Sequence, residues 1–570
     1  MSALVFKVKN RVVTLRVVSF ALALSVVLSL DAAEPVGTDV CVYGGTPGGI
    51  AAAIQAARMN KTLVLLEFDN HIGGLTTGGL GATDIGNKAA IGGIAREFYG
   101  RVAEHYAKEA SWIHEQPAEY FARRGGSQTK ASDPLTAPVG QRTMWTFEPK
   151  VAESIFNEML QDARVPVRYH QRLASVRKRG DRIIGITMDD GSEYRAKMYI
   201  DASYEGDLMA RAGVQYHVGR EGNSIYGETF NGVRGQTPKH QFIVPVDPYV
   251  KPGDQSSGLL PFVQPGAGGK PGTGDDHVQA YNYRLCFTTN DANRLAVTPP
   301  PNYDPARYEL LARYIEALVK AGKKPQLREF WHPIWLPNHK TDINNNGGFS
   351  TDFIGANYAY PEATHKERAK IALEHEHYTR GFLTFLATSP RVPENIRTEM
   401  QRWGPCKDEF VDSGGWPNQL YVREARRLIS DYVMTEHNCR GARVAEDSVG
   451  LGAYNMDSHN VQRIVKKGRV ENEGDVQEPV KPYPISYRSL VPRQRQCENL
   501  LVPVCLAASH IAYGSIRMEP VFMILGQSSA SAAAFAIDDD VPVQKVDYAK
   551  LRQRLLADKQ VLVWAPSRRN

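Results

Sequence analysis

Residues 39–67 read DVCVYGGTPGGIAAAIQAARMNKTLVLLE, and the fold follows from this stretch. An apolar run from Val40 to Tyr43 breaks into a glycine turn. An Ala-rich helical run follows, then a second apolar run from Leu63 to Leu66 that ends on Glu67. Strand, turn, helix, strand and terminal acid within about thirty residues make the βαβ unit that holds a dinucleotide. Gly44 lets the chain leave the strand sharply. Gly49, with Ala53 one turn on, lets the helix lie close to the sheet. The first helical N–H groups and the positive end of the helix dipole are then aimed at a pyrophosphate, and Glu67 can accept from an adenosine ribose. Counting G-x-G-x-x-G from Gly44 puts Thr46 where the middle glycine is usual, so its side chain must turn away or bond the phosphate itself.

The 570 residues suffice for a large core and two or more domains. Of the formal charge of +6, half lies in residues 1–33, where Lys7, Lys9, Arg11 and Arg16 face only Asp31. What is left is no nucleic-acid signature, and no basic stripe with interleaved aromatics occurs. Residues 1–33 read as an export signal: a basic start, an apolar run over 17–30, then Ala32-Ala33. That run is shorter than the roughly 18–20 residues a spanning helix needs. The expectation is a periplasmic or extracellular protein, with an uncleaved N-terminal anchor as the alternative and no membrane span in the mature chain. Six cysteines, at 41, 286, 406, 439, 497 and 505, form no C-x-x-C, so neither a redox dithiol nor a zinc knuckle is indicated. Cys41 reads as a small buried hydrophobe. An oxidising compartment permits disulfides among the others without fixing their pairing.

Further on, HIGGLTTGGLGATDIG (71–86) is too glycine-rich for a regular helix and suits a backbone folded tightly against a ligand. Helices are expected over 94–108 and 147–161, the latter with Pro149 in its first turn. A polar surface excursion is expected over 112–141. Runs at 167–176, 182–189 and 193–200, separated by the turn signals Arg179-Gly180-Asp181 and Asp190-Gly191, predict a three-stranded meander. From about 219 to 483 the composition shifts to an α+β insertion, with helices expected at 305–321, 361–386 and 420–435. Rossmann-like elements return as a strand at 499–506 and a small-residue helix at 520–535; a helix at 551–562 closes the chain. The expected fold class is α/β: a Rossmann-like dinucleotide-binding domain built as a ββα sandwich, carrying an inserted α+β cap. The expected partition is a signal over 1–33, the binding domain over 34–218 and 484–570, and the substrate or cap domain over 219–483.

YGGTPGGIAAA with Glu67, HIGGLTTGGLGATDIG, FEPKVAESIFNEML, YIDASYEGDLMA, IGANYAYPEA, WPNQLYVREARRL, DSHNVQR and SIRMEPVFMILGQSSASAA together resemble the bacterial FAD-dependent oxidoreductase family. That family belongs with the glutathione-reductase-like flavoproteins, and some of its members are labelled xanthan lyase-like. The resemblance implies FAD as cofactor, with Gly44, Gly45, Thr46, Pro47 and Gly49 on its pyrophosphate and Glu67 on the ribose. It implies Gly73, Gly74, Leu75 and Thr77 along the middle of the cofactor, Leu173 at the adenine through its backbone, and Ala202 and Ser203 on the adenosine side. Met518 and Gly526, the latter near a helix N-terminus, are implied beside the flavin and ribityl chain. Many superfamily members carry Gly-Asp after the last strand; here Pro503-Val504-Cys505-Leu506 stands instead, so that contact does not carry over.

Flavin chemistry needs a base or cation near the substrate. The candidates are Arg517 and His510, flanking the flavin-facing segment, with His459 and Arg423 in the insertion. A calcium loop at 342–353 fails at its twelfth position, which is Phe353, and reads as a polar turn near the substrate cleft. Glu374-His375-Glu376-His377 lacks HExxH spacing and reads as a solvated helix face. No metal is expected, and no G-x-S-x-G or Walker loop occurs. The reading is hydride transfer from a small polar substrate, a sugar derivative by association with the family's labels, through FAD to an undetermined electron acceptor. The rivals are a lyase or hydratase with structural FAD and an exported carbohydrate-binding protein with a vestigial site.

Overall fold

The computed structural model describes residues 36–124 and 142–565. The expected export signal, and residues 125–141 of the expected surface excursion, lie outside the described residues. The excursion begins less exposed than expected, because Trp112 and Tyr120 are buried.

Strand β1 (Val36–Tyr43) is the centre of a seven-stranded sheet. Its residues from Val40 to Tyr43 are buried on both faces, which is why they read as an unbroken apolar run. Strand β2 (Leu63–Leu66) and strand β6 (Glu193–Asp201) flank it in parallel, with Tyr43 level with Leu66 on one side and Asp201 on the other. Three carboxyl ends therefore meet at one edge, where ligands of open α/β sheets bind. The expected first meander strand splits in two. Strand β3 (Val167–Arg168) joins β2 in parallel, whereas β4 (Leu173–Arg179) pairs with β5 (Arg182–Met188) across a turn at Gly180. The β6 strand forks. Its first half pairs antiparallel with β5 and its last half parallel with β7 (Leu500–Leu501). The expected strand at 499–506 is thus two residues long, because Pro503 follows and the Val502 N–H turns to the Leu490 carbonyl at 2.8 Å.

Helix α1 (Pro47–Arg58) starts where Thr46 caps it, its hydroxyl accepting from the Gly49 N–H at 3.3 Å with Pro47 at the first position. It packs on α2 (Glu519–Asp538), a helix long and apolar enough to cross a membrane but buried here over most of its length. At their crossing a Cβ on Gly526 would lie 1.9 Å from the Gly48 carbonyl oxygen, so the two backbones touch. Gly526 is the eighth residue of α2, not close to its N-terminus as expected. Its lack of a side chain serves helix packing.

The insertion contains a four-stranded antiparallel sheet in the order Trp331–Trp335, Lys340–Asn345, Leu285–Thr288, Gly404–Pro405. Helices Glu309–Lys320 and His365–Thr388 lie where expected, the second opened by a Thr364/Glu367 capping box. The expected helix at 420–435 does not form. Tyr421, Leu428 and Ile429 donate their N–H groups to Asn282, Cys505 and Gln215 at 2.9 Å each. Arg423, Arg426 and Arg427 are buried in ion pairs with Asp352, Asp207 and Glu221 at 3.1, 2.8 and 2.7 Å. These distant partners outweigh the local helix preference. The expected polar turn at 342–353 is strand through Asn345 and irregular after it, with Asn344, Asn345 and Asn346 bordering a cavity, and Asp342 is buried in a bidentate pair with Arg284 at 2.7 and 2.8 Å. His375 is also corrected: it is buried, not solvated, and burial pushes its imidazole down to about 4. The closing helix is Tyr548–Ala557.

Candidate active site

The turn after β1 is shaped by missing side chains. Gly44 has φ +101°, and a Cβ there would lie 2.7 Å from the Ser203 nitrogen. A Cβ on Gly45 would lie 2.6 Å from a Glu67 carboxylate oxygen, and one on Gly49 1.9 Å from the Gly44 carbonyl. Thr46 turns away from the ligand side: its hydroxyl donates to the Ala202 carbonyl at 2.7 Å while capping α1. The middle-glycine departure is thereby accommodated, because the threonine fastens the turn to the end of β6. Ala202 and Ser203 stand against the same turn, and Ser203 donates to the buried Asp201, whose carboxyl burial pushes up to about 6.

Glu67 accepts from the Gly45 and Asp69 N–H groups at 2.7 and 2.9 Å. Burial pushes its carboxyl up to about 8 in spite of these bonds. Leu173 lies at the start of β4, its N–H on the Tyr43 hydroxyl at 3.3 Å. The Gly73 N–H donates to the Gly45 carbonyl at 2.7 Å, which ties the glycine-rich loop to the turn. A cavity of about 320 Å³ opens here, bordered by Thr46, Glu67, Gly74 and Thr77. Glycines that let the turn close against β6 and Glu67, a capped helix N-terminus beside the cavity and an acid at the end of β2 are the features a flavin dinucleotide's pyrophosphate and ribose require, so the residues present fit FAD.

Beyond the cradle, Leu75 donates its N–H to the Tyr204 hydroxyl at 3.0 Å, and Tyr204 donates to Glu519 at 2.9 Å. Glu519 opens α2, directly after Met518, the buried residue at its N-cap. Burial pushes the Glu519 carboxyl up to about 8.

A second cavity, of about 560 Å³, lies on the far side of the same loop, bordered by Asp84, Arg284, Tyr421, Asp457 and His459. Three of the four candidate catalytic residues meet in a closed ring that reaches the cavity through Tyr421, Asp457 and His459, with Arg517, Arg423 and Asp352 buried behind them. Arg517 donates to the Tyr421 hydroxyl at 2.7 Å and to Asp457 at 2.8 Å. Asp457 is 3.7 Å from His459 Nε2, and His459 Nδ1 is 2.7 Å from Asp352. Asp352 pairs with Arg423 at 3.1 Å, and the Arg423 guanidinium lies 4.5 Å over the Tyr421 ring. Burial raises the Asp352 carboxyl, but Arg423 and His459 outweigh it and hold it at about 2. Burial, with Arg423, pushes His459 below its ordinary value. Arg517 is driven the other way: burial opposes its charge, and Tyr421 and Asp457 raise it above the ordinary range. His510 stands apart from this wall, with Nδ1 2.7 Å from Glu424 and Nε2 3.1 Å from Ser458.

Sequence reasoning missed Asp84, Arg284, Asp352, Tyr421, Asp457 and Glu519. Asp457 and His459 stood together in DSHNVQR, and Glu519 follows Arg517 and Met518 at a helix start, where an acid suits the dipole. Tyr421 stood in WPNQLYVREARRL and Asp352 in the 342–353 stretch, but nothing local showed that either would meet Arg423. Glu148, Asp408 and Glu409 cluster closely enough to suit a metal, but the Lys340 ammonium sits among them, 2.7 Å from Glu148 and 2.8 Å from Asp408.

Parallel strands with a glycine cradle at their carboxyl edge, and a second, polar cavity beyond it, define a dinucleotide-binding class of protein. The family model described as FAD dependent oxidoreductase matches residues 39–555. The chain belongs to that family. Among solved structures it is similar to a geranylgeranyl bacteriochlorophyll reductase-like protein from Thermoplasma acidophilum, at 11% identity over 92% of this chain and 86% of that one, with a TM-score of 0.34. It is also similar to a flavin-containing monooxygenase from Stenotrophomonas maltophilia, at 17% identity over 35% and 45% of the two chains, with a TM-score of 0.19. A 3-ketosteroid-delta4-(5alpha)-dehydrogenase from Rhodococcus jostii RHA1 matches at 15% identity over 33% and 50%, also at 0.19. The match spans about half the length of the latter two. Among curated proteins no sequence match is found.

Proposed function

We propose that the enzyme oxidises a small, hydroxyl-rich substrate of carbohydrate character, bound in the 560 Å³ cavity. The observation that carries this reading is that His459, Asp457 and Tyr421 line the cavity while Arg517, Asp352 and Arg423, bonded to them from behind, complete a ring. When bound, FAD supplies the two-electron acceptor. Asp352, ionised at neutral pH, accepts from His459 Nδ1–H and so leaves the Nε2 lone pair free. Because burial keeps His459 neutral, Nε2 takes the substrate hydroxyl proton, and the Asp457 carboxylate 3.7 Å away steadies the imidazolium that forms. Arg517, held charged, sets the field along that wall and fixes Tyr421. Arg284 Nη1, buried without a hydrogen-bond partner and 3.9 Å from Asp84, is a donor free for a substrate oxygen.

Residues 17–30 support export of the chain, and N-terminal sequencing that found Ser2 retained in the mature protein would refute cleavage. The test of the reaction is anaerobic mixing of FAD-loaded protein with sugars, sugar alcohols and sugar acids. Substrate-dependent bleaching of the flavin, lost in His459→Gln and slowed in Arg517→Gln with FAD still bound, is the expected result. Turnover without bleaching would favour the non-redox lyase. Bleaching only by substrates without hydroxyl groups would overturn the substrate class.

A further inference from the structure

The cysteine pair Cys286 and Cys406 has no part in the proposed reaction. Strand Leu285–Thr288 runs antiparallel to Gly404–Pro405, with Phe287 opposite Pro405 and Thr288 opposite Gly404. The next step of that register sets Cys406 opposite Cys286, and the Cys406 N–H donates to the Cys286 carbonyl at 3.2 Å. The sulfurs lie 3.8 Å apart, both fully buried and packed with Phe410. Residues directly opposed in an antiparallel pair have Cα atoms about 4.5–5.5 Å apart, inside the roughly 4.4–6.8 Å that a disulfide spans. Closing the bond needs only side-chain rotation that brings the sulfurs to about 2.0 Å. Cys497 and Cys505 have other neighbours, the Asn499 side chain and the Tyr204 carbonyl.

We propose that Cys286 and Cys406 close into a disulfide while the chain folds in the presence of a disulfide-bearing thiol oxidant. One protein thiolate attacks the oxidant's disulfide and expels a thiolate, which gives a mixed disulfide. The second protein thiolate then attacks the protein sulfur of that bond and expels the rest of the oxidant as thiol. The protein loses two electrons and two protons, and the oxidant's S–S bond is reduced. Burial sets the timing: the bond forms before the pair is enclosed and is afterwards shielded from reductant. The cross-link would pin the strand that begins one residue after Arg284, and so hold the wall of the substrate cavity.

The test is refolding of the full chain, denatured and reduced, with FAD in a glutathione redox buffer, followed by alkylation and non-reduced peptide mapping. The expected product is one peptide pair joining Cys286 and Cys406, lighter than the two thiol peptides by two hydrogens, with the other four of the six cysteines alkylated. Reduction under denaturing conditions before refolding without oxidant should lower Tm by several degrees. Cys286→Ala/Cys406→Ala should abolish that difference. Six alkylated thiols after oxidative refolding, or a link through any other cysteine, would overturn the proposal. Because refolding supplies the oxidant, the outcome does not depend on whether the chain is exported.

Discussion

Glu67 follows β2 with one carboxyl oxygen on the Gly45 N–H of the turn it faces and the other on the Asp69 N–H of its own segment, so the acid that would hold a ribose also shapes the turn. Its replacement by Gln keeps the size but leaves one oxygen to accept where two now do. Glu67→Gln should weaken FAD binding by about 10- to 100-fold, read by titrating apoprotein with FAD and following flavin fluorescence. Glu519 tests burial more directly. Its folded-state value of about 8 stands above the ordinary 4.5, so the native state holds a proton that the unfolded chain gives up between those values. The stability it contributes is full below about pH 4.5 and lost as pH rises through 8. Apoprotein Tm should therefore fall across that window relative to Glu519→Gln; parallel curves would show that the carboxyl is ionised in the fold.

At the scale of elements, the crossing of α1 and α2 is the tightest constraint on the cradle, because Gly48 touches α2 from inside the turn it helps to form. Gly526→Ala would drive a methyl group to within 1.9 Å of the Gly48 carbonyl unless one helix moves. We expect a loss of about 1–3 kcal/mol in denaturant unfolding together with weaker FAD binding. Gly37→Ala is the control, since a Cβ there meets nothing within 4 Å, and its stability should stay within about 0.5 kcal/mol of wild type. The element that failed to match expectation, 420–435, teaches the complementary point. Its apolar and charged spacing suits a helix, yet Arg423, Arg426 and Arg427 reach carboxylates at Asp352, Asp207 and Glu221, each far away in sequence. No local window carries that information.

Across the whole molecule, the cradle cavity and the proposed substrate cavity share one loop. Gly74 and Thr77 face the cradle cavity, and Thr83 and Asp84 face the ring of ion pairs. Ordering one side of this loop orders the other. FAD binds the native state alone, so free FAD at one hundred times Kd should stabilise the protein by about 2.7 kcal/mol, seen as a Tm higher by several degrees. An unchanged Tm at saturating FAD would mean that the cradle is not coupled to the fold. The ring itself draws on positions 352, 421, 423, 457, 459 and 517, and burial of its charges is tolerable only because each finds a partner.

The sequence by itself determined the dinucleotide-binding unit, because each feature that makes it is local: turn glycines, the cap and Pro at the helix start, two apolar strands and the acid that ends them. It also carried the meander turns at Gly180 and Gly191 and the α/β class. Only the tertiary structure decided that Thr46 fastens the turn to Ala202, that Gly526 serves a helix crossing, and that 420–435 is extended. Only it brought His459, Asp352, Asp457 and Arg517 into one bonded ring and left His510 outside. The reason is physical. Backbone conformation near a glycine or a cap is set within a few residues, whereas the protonation and pairing of a buried charge depend on whichever distant group the fold sets beside it.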